Sequence, residues 1–189
     1  MEKMIIVVAP SGAGKSTFID EILKCQDLPI RDLITSTTRE MREGEAEGDP
    51  YFFLKQEDFL TKVEEGFFVE WAKVHSSYYG SSYEQIRSHW QAGHAVIMDV
   101  DIQGAETFKN KFPEALIVFI QPPSIEALKD RLLKRGGGVL PSDYEIRMES
   151  AKREMAWATN ADEVIINDDF KVAFSTFRKK VELYLLNLS

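Results

Sequence analysis

MIIVVAPSGAGKST, residues Met4–Thr17, is the stretch whose reading decides the fold. The run from Met4 to Ala9 is short, rich in β-branched residues and unalternated, as in a strand buried on both faces of a parallel sheet. Gly12 and Gly14 then permit a tight turn whose successive N–H groups point inward, and a helix beginning near Lys15 adds its positive dipole end. Such a turn is shaped to hold a phosphate. In this reading Lys15 reaches the β- and γ-phosphates of a nucleotide and the Ser16 hydroxyl sits on Mg²⁺. The pattern G-x-x-x-x-G-K-[ST] asks for Gly where Ala9 stands, but that position closes the strand and tolerates a methyl group. The plain alternative is a Gly-rich strand-to-helix turn with an incidental Lys. The strand before it and the helix after it favour the nucleotide.

The chain has 189 residues, enough for one well-buried core with small inserted subdomains and too few for two large domains. Its net charge of −8 argues against a general nucleic-acid or membrane surface, which needs clustered Lys and Arg over a broad face. Cys25 is the only cysteine, which excludes an intramolecular disulfide and fits a reducing compartment. The apolar N-terminal run is too short for a signal-peptide core, and no stretch approaches the length of a membrane span. The expectation is a cytoplasmic protein without nucleic-acid or membrane partners. Protein partners and oligomeric state are not legible in the sequence.

Strand-like runs recur at Met4–Ala9, Ala95–Met98, Leu116–Ile120 and Glu163–Ile166, separated by helical spacing at Phe18–Leu23, Ser124–Leu133 and Val172–Leu186. Strands alternating with helices predict an α/β fold with a doubly wound parallel sheet. Two stretches break the alternation. Thr35 to Tyr83 is rich in aromatic, Gly and charged residues, and reads as an inserted subdomain of short antiparallel strands. RGGGVLPSD, Arg135 to Asp143, reads as a mobile lid between two helices, the alternative being a plain surface connection. The expected organisation is one domain over 1–189, with a core of 1–34, 84–125 and 149–189, an insertion over about 35–83 and a lid region over about 126–148.

Arg131, Arg135 and Arg147 flank or anchor that loop in an acidic chain, although any one alone could be a solvated helix residue. A phosphate-transfer site needs such groups, because planar guanidinium forks stabilise the charge on the transferred phosphoryl oxygens. In the insertion, Arg39 and Arg42 with Tyr51 could clamp the phosphate of a second substrate, or form an ordinary charged hairpin. Asp99 and Asp101 follow a strand, at the edge where ligands bind in open α/β sheets. One could order the water shell of Mg²⁺ beside Ser16 and the other accept from a base amine. His75, His89 and His94 lack metal-ligand spacing and receive no chemistry.

Taken together, APSGAGKST, TTREMREGEAEGDPYFF, EWAKVHSSYYGSS, IMDVDIQGA, KDRLLKRG and VIINDDF resemble the guanylate kinase family nearly end to end. The resemblance implies a Mg²⁺-dependent transferase of the nucleoside monophosphate kinase type, with ATP as co-substrate and GMP as acceptor, built on a P-loop fold with a GMP-binding insertion and a lid. ATP would be bound by Ala9, Pro10, Ser11, Gly12, Ala13, Gly14, Lys15, Ser16 and Thr17, with the backbone around Asn167 bordering the adenine. Lys15, Arg131, Arg135 and Arg147 would be catalytic, meeting the phosphates and the migrating phosphoryl group. Arg39, Arg42, Tyr51 and Tyr79 would bind the GMP phosphate, while Glu70, Ser81 and Asp101, with Thr35, would read the guanine edge. Ser16, and Asp99 directly or through water, would serve the metal.

The chain departs from the family at Ala9, at Thr35 where Ser is common, at His75-Ser76-Ser77 where Gly-Asn is usual, and in the lid. There GGGVLPSDYE replaces a short acidic stretch, and three glycines raise the entropy that closure must overcome. On that view Gly137→Ala favours closure, provided the backbone angles suit a side chain. Two rivals remain. Catalytically silent peptide-binding modules share the family fold but lose the phosphate loop and lid arginines, which this chain keeps. A related kinase acting on a phosphorylated ribose has no need of the guanine-reading set Glu70, Ser81 and Asp101.

Overall fold

The computed structural model describes residues 2–74, 76–135, 137–140 and 143–186, with the side chain of Arg135 outside that set. His75, to which the sequence assigned no chemistry, and Gly136, Pro141 and Ser142 of the expected lid lie outside the described residues. The chain forms two compact units, Met1–Lys3 with Pro29–Met98, and Met4–Leu28 with Asp99–Ser189.

The second of these units holds three parallel strands: β1 (Met4–Val8), β9 (Leu116–Gln121) and β10 (Glu163–Ile166). β9 pairs with both others, Ile5 lying opposite Leu116 and Val164 opposite Phe119. All five residues of β1 are buried, as its unalternated apolar run requires of a strand covered on both faces. Around these strands pack α1 (Lys15–Leu23), α4 (Ile102–Lys111), α5 (Ile125–Arg135), α6 (Tyr144–Trp157) and α7 (Phe170–Leu186). On α7 the buried residues Ala173, Phe177, Val181 and Leu185 recur every fourth position, one face of a helix. That face meets α1, where Phe18 contacts Phe170 and Phe177 edge-on at 5.2 and 5.5 Å between centroids. Leu128 and Leu132 of α5 form a separate apolar cluster with Met148 and Ala151 of α6.

The other unit contains the parallel pair β2 (Ile30–Asp32) and β8 (Ala95–Asp99), save Asp99, which belongs with β1, and a five-stranded sheet in the order β4-β5-β3-β7-β6. Its strands are β3 (Ser36–Thr37), β4 (Ala46–Glu47), β5 (Pro50–Phe53), β6 (Phe68–Val74) and β7 (Ser77–Ser82). The expected insertion falls within this unit but is not purely antiparallel. β6 and β3 pair antiparallel with β7, whereas β5 runs parallel to both β3 and β4. It also contains a helix the sequence did not announce, α2 (Gln56–Glu64), which buries only Phe59 and so carries almost no apolar period. Glu57 and Asp58 in its first turn and Lys62 in its last complement the helix dipole. Phe59 stacks on Phe68 of β6 at 4.5 Å and on Tyr78 of β7 at 5.6 Å. Between them Gly80 has no room for a side chain, since a Cβ there would stand 2.9 Å from Phe68 Cδ1. α3 (Tyr83–Gln91) follows β7 directly, its first turn capped by Ser82, whose hydroxyl accepts from the Gln85 N–H at 3.0 Å.

Candidate active site

β1 ends at Val8, and the chain turns through Gly12 and Gly14, with φ of 89° and 102°, before α1 begins at Lys15. Gly14 is the N-cap of α1 and offers no capping side chain, nor is there an acidic residue in the first turn. The first N–H groups of the helix therefore carry its positive dipole end to a ligand, the arrangement that binds anions. A cleft of ≈ 560 Å³ opens over this turn, lined by Ala9, Pro10, Ser11, Gly12, Gly14, Lys15, Ser16 and Thr17, together with Val8, Asp101, Ile102, Arg131, Leu132 and Glu154. Ala13, the remaining residue of the predicted loop, is fully buried beneath it.

Charge is distributed unevenly around the cleft. Lys15 Nζ pairs with Asp99 Oδ2 at 2.8 Å, the carboxylate half-exposed at the end of β8. Arg147, on the first turn of α6, donates through Nε to Asp143 Oδ1 at 2.8 Å and through Nη1 to Ser11 Oγ at 3.2 Å. That guanidinium holds the Asp143 carboxyl below the usual carboxylate range. Arg131 donates to the carbonyls of Ala13 and Asn167, and Asn167 is buried with its side chain on Ala13 as well. Asp101 caps α4 by accepting from the Gly104 N–H at 2.8 Å. Arg135 closes α5.

Glu154 is a cleft residue the sequence reading missed. Burial pushes its carboxyl above the usual carboxylate range, opposed by a hydrogen bond from Ser150 Oγ at 2.9 Å and by the charge of Lys15. Its signal was present, since it lies seven residues after Arg147 and therefore on the same face of α6.

The remaining predicted residues belong to the other unit, where the β6–β7 register explains their meeting. Tyr79 and Ser81 are two apart on β7 and share one sheet face, while Tyr78 and Gly80 face Phe59 and Phe68. Ser81 is opposite Glu70, beside a bulge between Phe68 and Glu70, and donates from Oγ to Glu70 Oε1 at 3.0 Å. Tyr79 meets Tyr51 of β5 edge-on at 5.8 Å, and the Arg39 guanidinium lies 5.4 Å from the Tyr51 ring centre. Thr35 is half-buried and its carbonyl accepts from the Phe52 N–H at 3.0 Å. Arg42 is exposed on the turn that follows Arg39.

Glu45, also unforeseen, organises that turn. Both its oxygens accept from Arg39 Nη2, at 2.8 and 3.0 Å, and Oε2 also accepts from the Arg42 N–H at 2.8 Å. These bonds, led by the one from Arg39, hold its carboxyl below the usual range. It stands three residues after Arg42 with Glu40, Glu43 and Glu47 nearby, and no spacing in the sequence sets it apart from them. Asp101, grouped with Glu70 and Ser81 by the resemblance, belongs to the unit that holds the Ala9–Thr17 loop.

The donors present suit a hard divalent cation. Among the described residues no cluster of three or more His, Cys, Asp or Glu could hold a metal alone, while Ser16 lies in the first turn of α1 and Asp99 is paired with Lys15. Oxygen donors of this sparse kind fit a Mg²⁺ carried largely by phosphate and water.

Residues 1–184 match the family model described as guanylate kinase. The chain is 50% identical to the guanylate kinase of Bdellovibrio bacteriovorus strain HD100, over 95% of this chain and 96% of that one. It is 41% identical to the guanylate kinase of Caldanaerobacter subterraneus subsp. tengcongensis, over 93% of this chain and 84% of the other. Among solved structures, the guanylate kinase of Anaplasma phagocytophilum superposes with a TM-score of 0.72 at 24% identity, covering 97% of this chain and 86% of that one. The likeness in structure confirms the expected α/β fold with a parallel sheet.

Proposed function

The chain belongs to the guanylate kinase family, and from that premise we propose how its residues divide the ATP-dependent phosphorylation of GMP to GDP. The loop Ala9–Thr17 cradles the ATP phosphates with its backbone N–H groups, and Lys15 leaves Asp99 to neutralise the β- and γ-phosphates. Arg147 already touches the loop at Ser11, close to where negative charge shifts during transfer. Arg131 and Arg135 complete the cationic set. Arg39, Arg42, Tyr51 and Tyr79 hold the GMP phosphate, and Glu70, Ser81, Thr35 and Asp101 read the guanine.

One observation carries the acceptor half. A single face of β7 bears Tyr79, which joins Arg39 and Tyr51, and Ser81, which joins Glu70. Their nearness on one sheet face supports reading Arg39, Tyr51 and Tyr79 as the phosphate clamp and Glu70 as the carboxylate that reads the base. Guanine presents a ring N–H and an exocyclic amine as adjacent donors, so one carboxylate accepts both. Adenine would leave it unpaired.

The acceptor oxygen is already anionic, so no general base is needed, and the residues act by alignment and charge neutralisation. Mg²⁺, bound through the nucleotide with Ser16 and Asp99 at hand, would supply charge compensation between the β- and γ-phosphates. Nucleotide substrates, a single half-buried thiol at Cys25 and the acidic net charge support a cytoplasmic enzyme with small-molecule partners, not nucleic acid or membrane. Among the described residues no helix is long and apolar enough to cross a membrane.

The test is a coupled assay of ADP formation against GMP, AMP, CMP and UMP, with Mg²⁺ and with excess chelator. Strong preference for GMP and loss of turnover on chelation are expected. Equal rates on GMP and AMP would overturn the guanine-reading assignment.

A further inference from the structure

The carbonyl of buried Ala13 accepts two side-chain hydrogen bonds, from Asn167 Nδ2 at 2.8 Å and from Arg131 Nη1 at 3.3 Å. Asn167 is itself tied down: it is buried, its N–H donates to the Gln121 carbonyl at 2.7 Å at the end of β9, and its own carbonyl accepts from Arg131. A trans peptide is planar, with its C=O and the following N–H pointing in opposite directions. Holding the Ala13 carbonyl on buried Asn167 therefore turns the N–H of Gly14, a cleft-lining residue, away from the interior. The contact is close enough to forbid a side chain at residue 14, where a Cβ would stand 2.9 Å from Asn167 Nδ2.

We propose that Asn167 is a positioning residue whose side-chain amide, backed by Arg131, locks the Ala13–Gly14 peptide so that the Gly14 N–H is a preset donor to nucleotide phosphate. The proposal rests on the reading of Ala9–Thr17 as the phosphate loop, and it gives Asn167 a part in phosphate binding distinct from any contact of its backbone with adenine. A donor already oriented needs no reorganisation when the anion arrives. Without Asn167 the peptide is free to rotate, and part of the binding energy goes to fixing it.

Asn167→Ala removes the donor, and the near-isosteric Asn167→Asp keeps the volume but sets a carboxylate against the Ala13 carbonyl. Calorimetry on the full chain would measure inorganic pyrophosphate, which carries no base or ribose, and GMP as a control. The amide signal of Gly14 in ¹⁵N spectra would be followed with and without ADP. Asn167→Ala is expected to weaken pyrophosphate about tenfold, Asn167→Asp more, with GMP affinity within about twofold of wild type and the Gly14 response to ADP lost. Unchanged pyrophosphate affinity, a wild-type Gly14 response, or an equal weakening of GMP would each overturn the proposal. Should the Asp variant not fold by circular dichroism, the Ala variant decides by the same readouts. The loop reading is tested separately by Lys15→Ala: if that variant binds pyrophosphate normally and ADP leaves the wild-type Ser11–Ser16 amides unmoved, the loop reading itself fails.

Discussion

Lys15 and Asp99 form a partly exposed ion pair, their side chains 24% and 52% accessible, and such pairs add little to stability. The turn that carries Lys15 is set by Gly12 and Gly14 and by the bonds on Ala13, none of which needs the lysine side chain. Lys15→Ala is therefore expected to unfold at the wild-type urea concentration yet lose most of kcat, because charge stabilisation during phosphoryl transfer disappears. Near wild-type turnover in the folded variant would contradict that role. At Glu70 the change to Gln leaves one acceptor and points a donor at guanine's donors. Loss of a charged hydrogen bond of this kind costs about 1.5–3 kcal/mol, so kcat/KM for GMP should fall tenfold or more, without AMP becoming a good substrate. Measuring both nucleotides on both proteins checks it.

The glycines after Arg135 look different as an element than as a string. Gly137 has φ of 64° and Gly138 of 91°. The Gly138 N–H donates to the Leu133 carbonyl at 2.8 Å and the Gly137 N–H to Lys134 at 3.3 Å, the paired bonds that end a helix on a left-handed residue. At least these two glycines terminate α5, so the condition attached to Gly137→Ala is not met. The substitution should cost about 1–2 kcal/mol, with the sign opposite to a gain from reduced chain entropy. Faster amide hydrogen exchange in the last turn of α5 and a lower urea midpoint are the expected readouts. Unaltered exchange there would mean that the left-handed residue does not fix the helix end. Within the stretch expected as a lid, Asp143 and Arg147 are paired across the first turn of α6, holding the guanidinium beside Ser11.

For the molecule as a whole, one group through which pH acts on stability near neutrality is His89 on α3. Burial holds its imidazole below the ordinary histidine range, and the charges of His94 and Arg31 add to this against a backbone hydrogen bond at Asp32. The unfolded chain takes up that proton near pH 6.5, before the folded one does. Stability present above that value is thus lost as pH falls through it toward the lower folded pKa. Urea midpoints at pH 7.5 and 5.5 should fall less in His89→Gln than in wild type, and an equal fall would remove His89 as the cause. By itself the sequence determined the strands β1, β8, β9 and β10 and the glycine turn that leads into α1, because short unalternated apolar runs and a Gly-Lys-Ser turn act through neighbours in the chain. Resemblance of its motifs gave the arginines, tyrosines and Glu70 their expected roles. Only tertiary structure decided that β5 runs parallel to its neighbours, that α2 stands on a single buried phenylalanine, that Glu45 ties Arg39 to the backbone of Arg42, and that Asn167 holds Ala13 from 154 positions away. Each depends on which backbone and side-chain groups meet once the chain has folded, and no periodicity along the sequence encodes such a meeting.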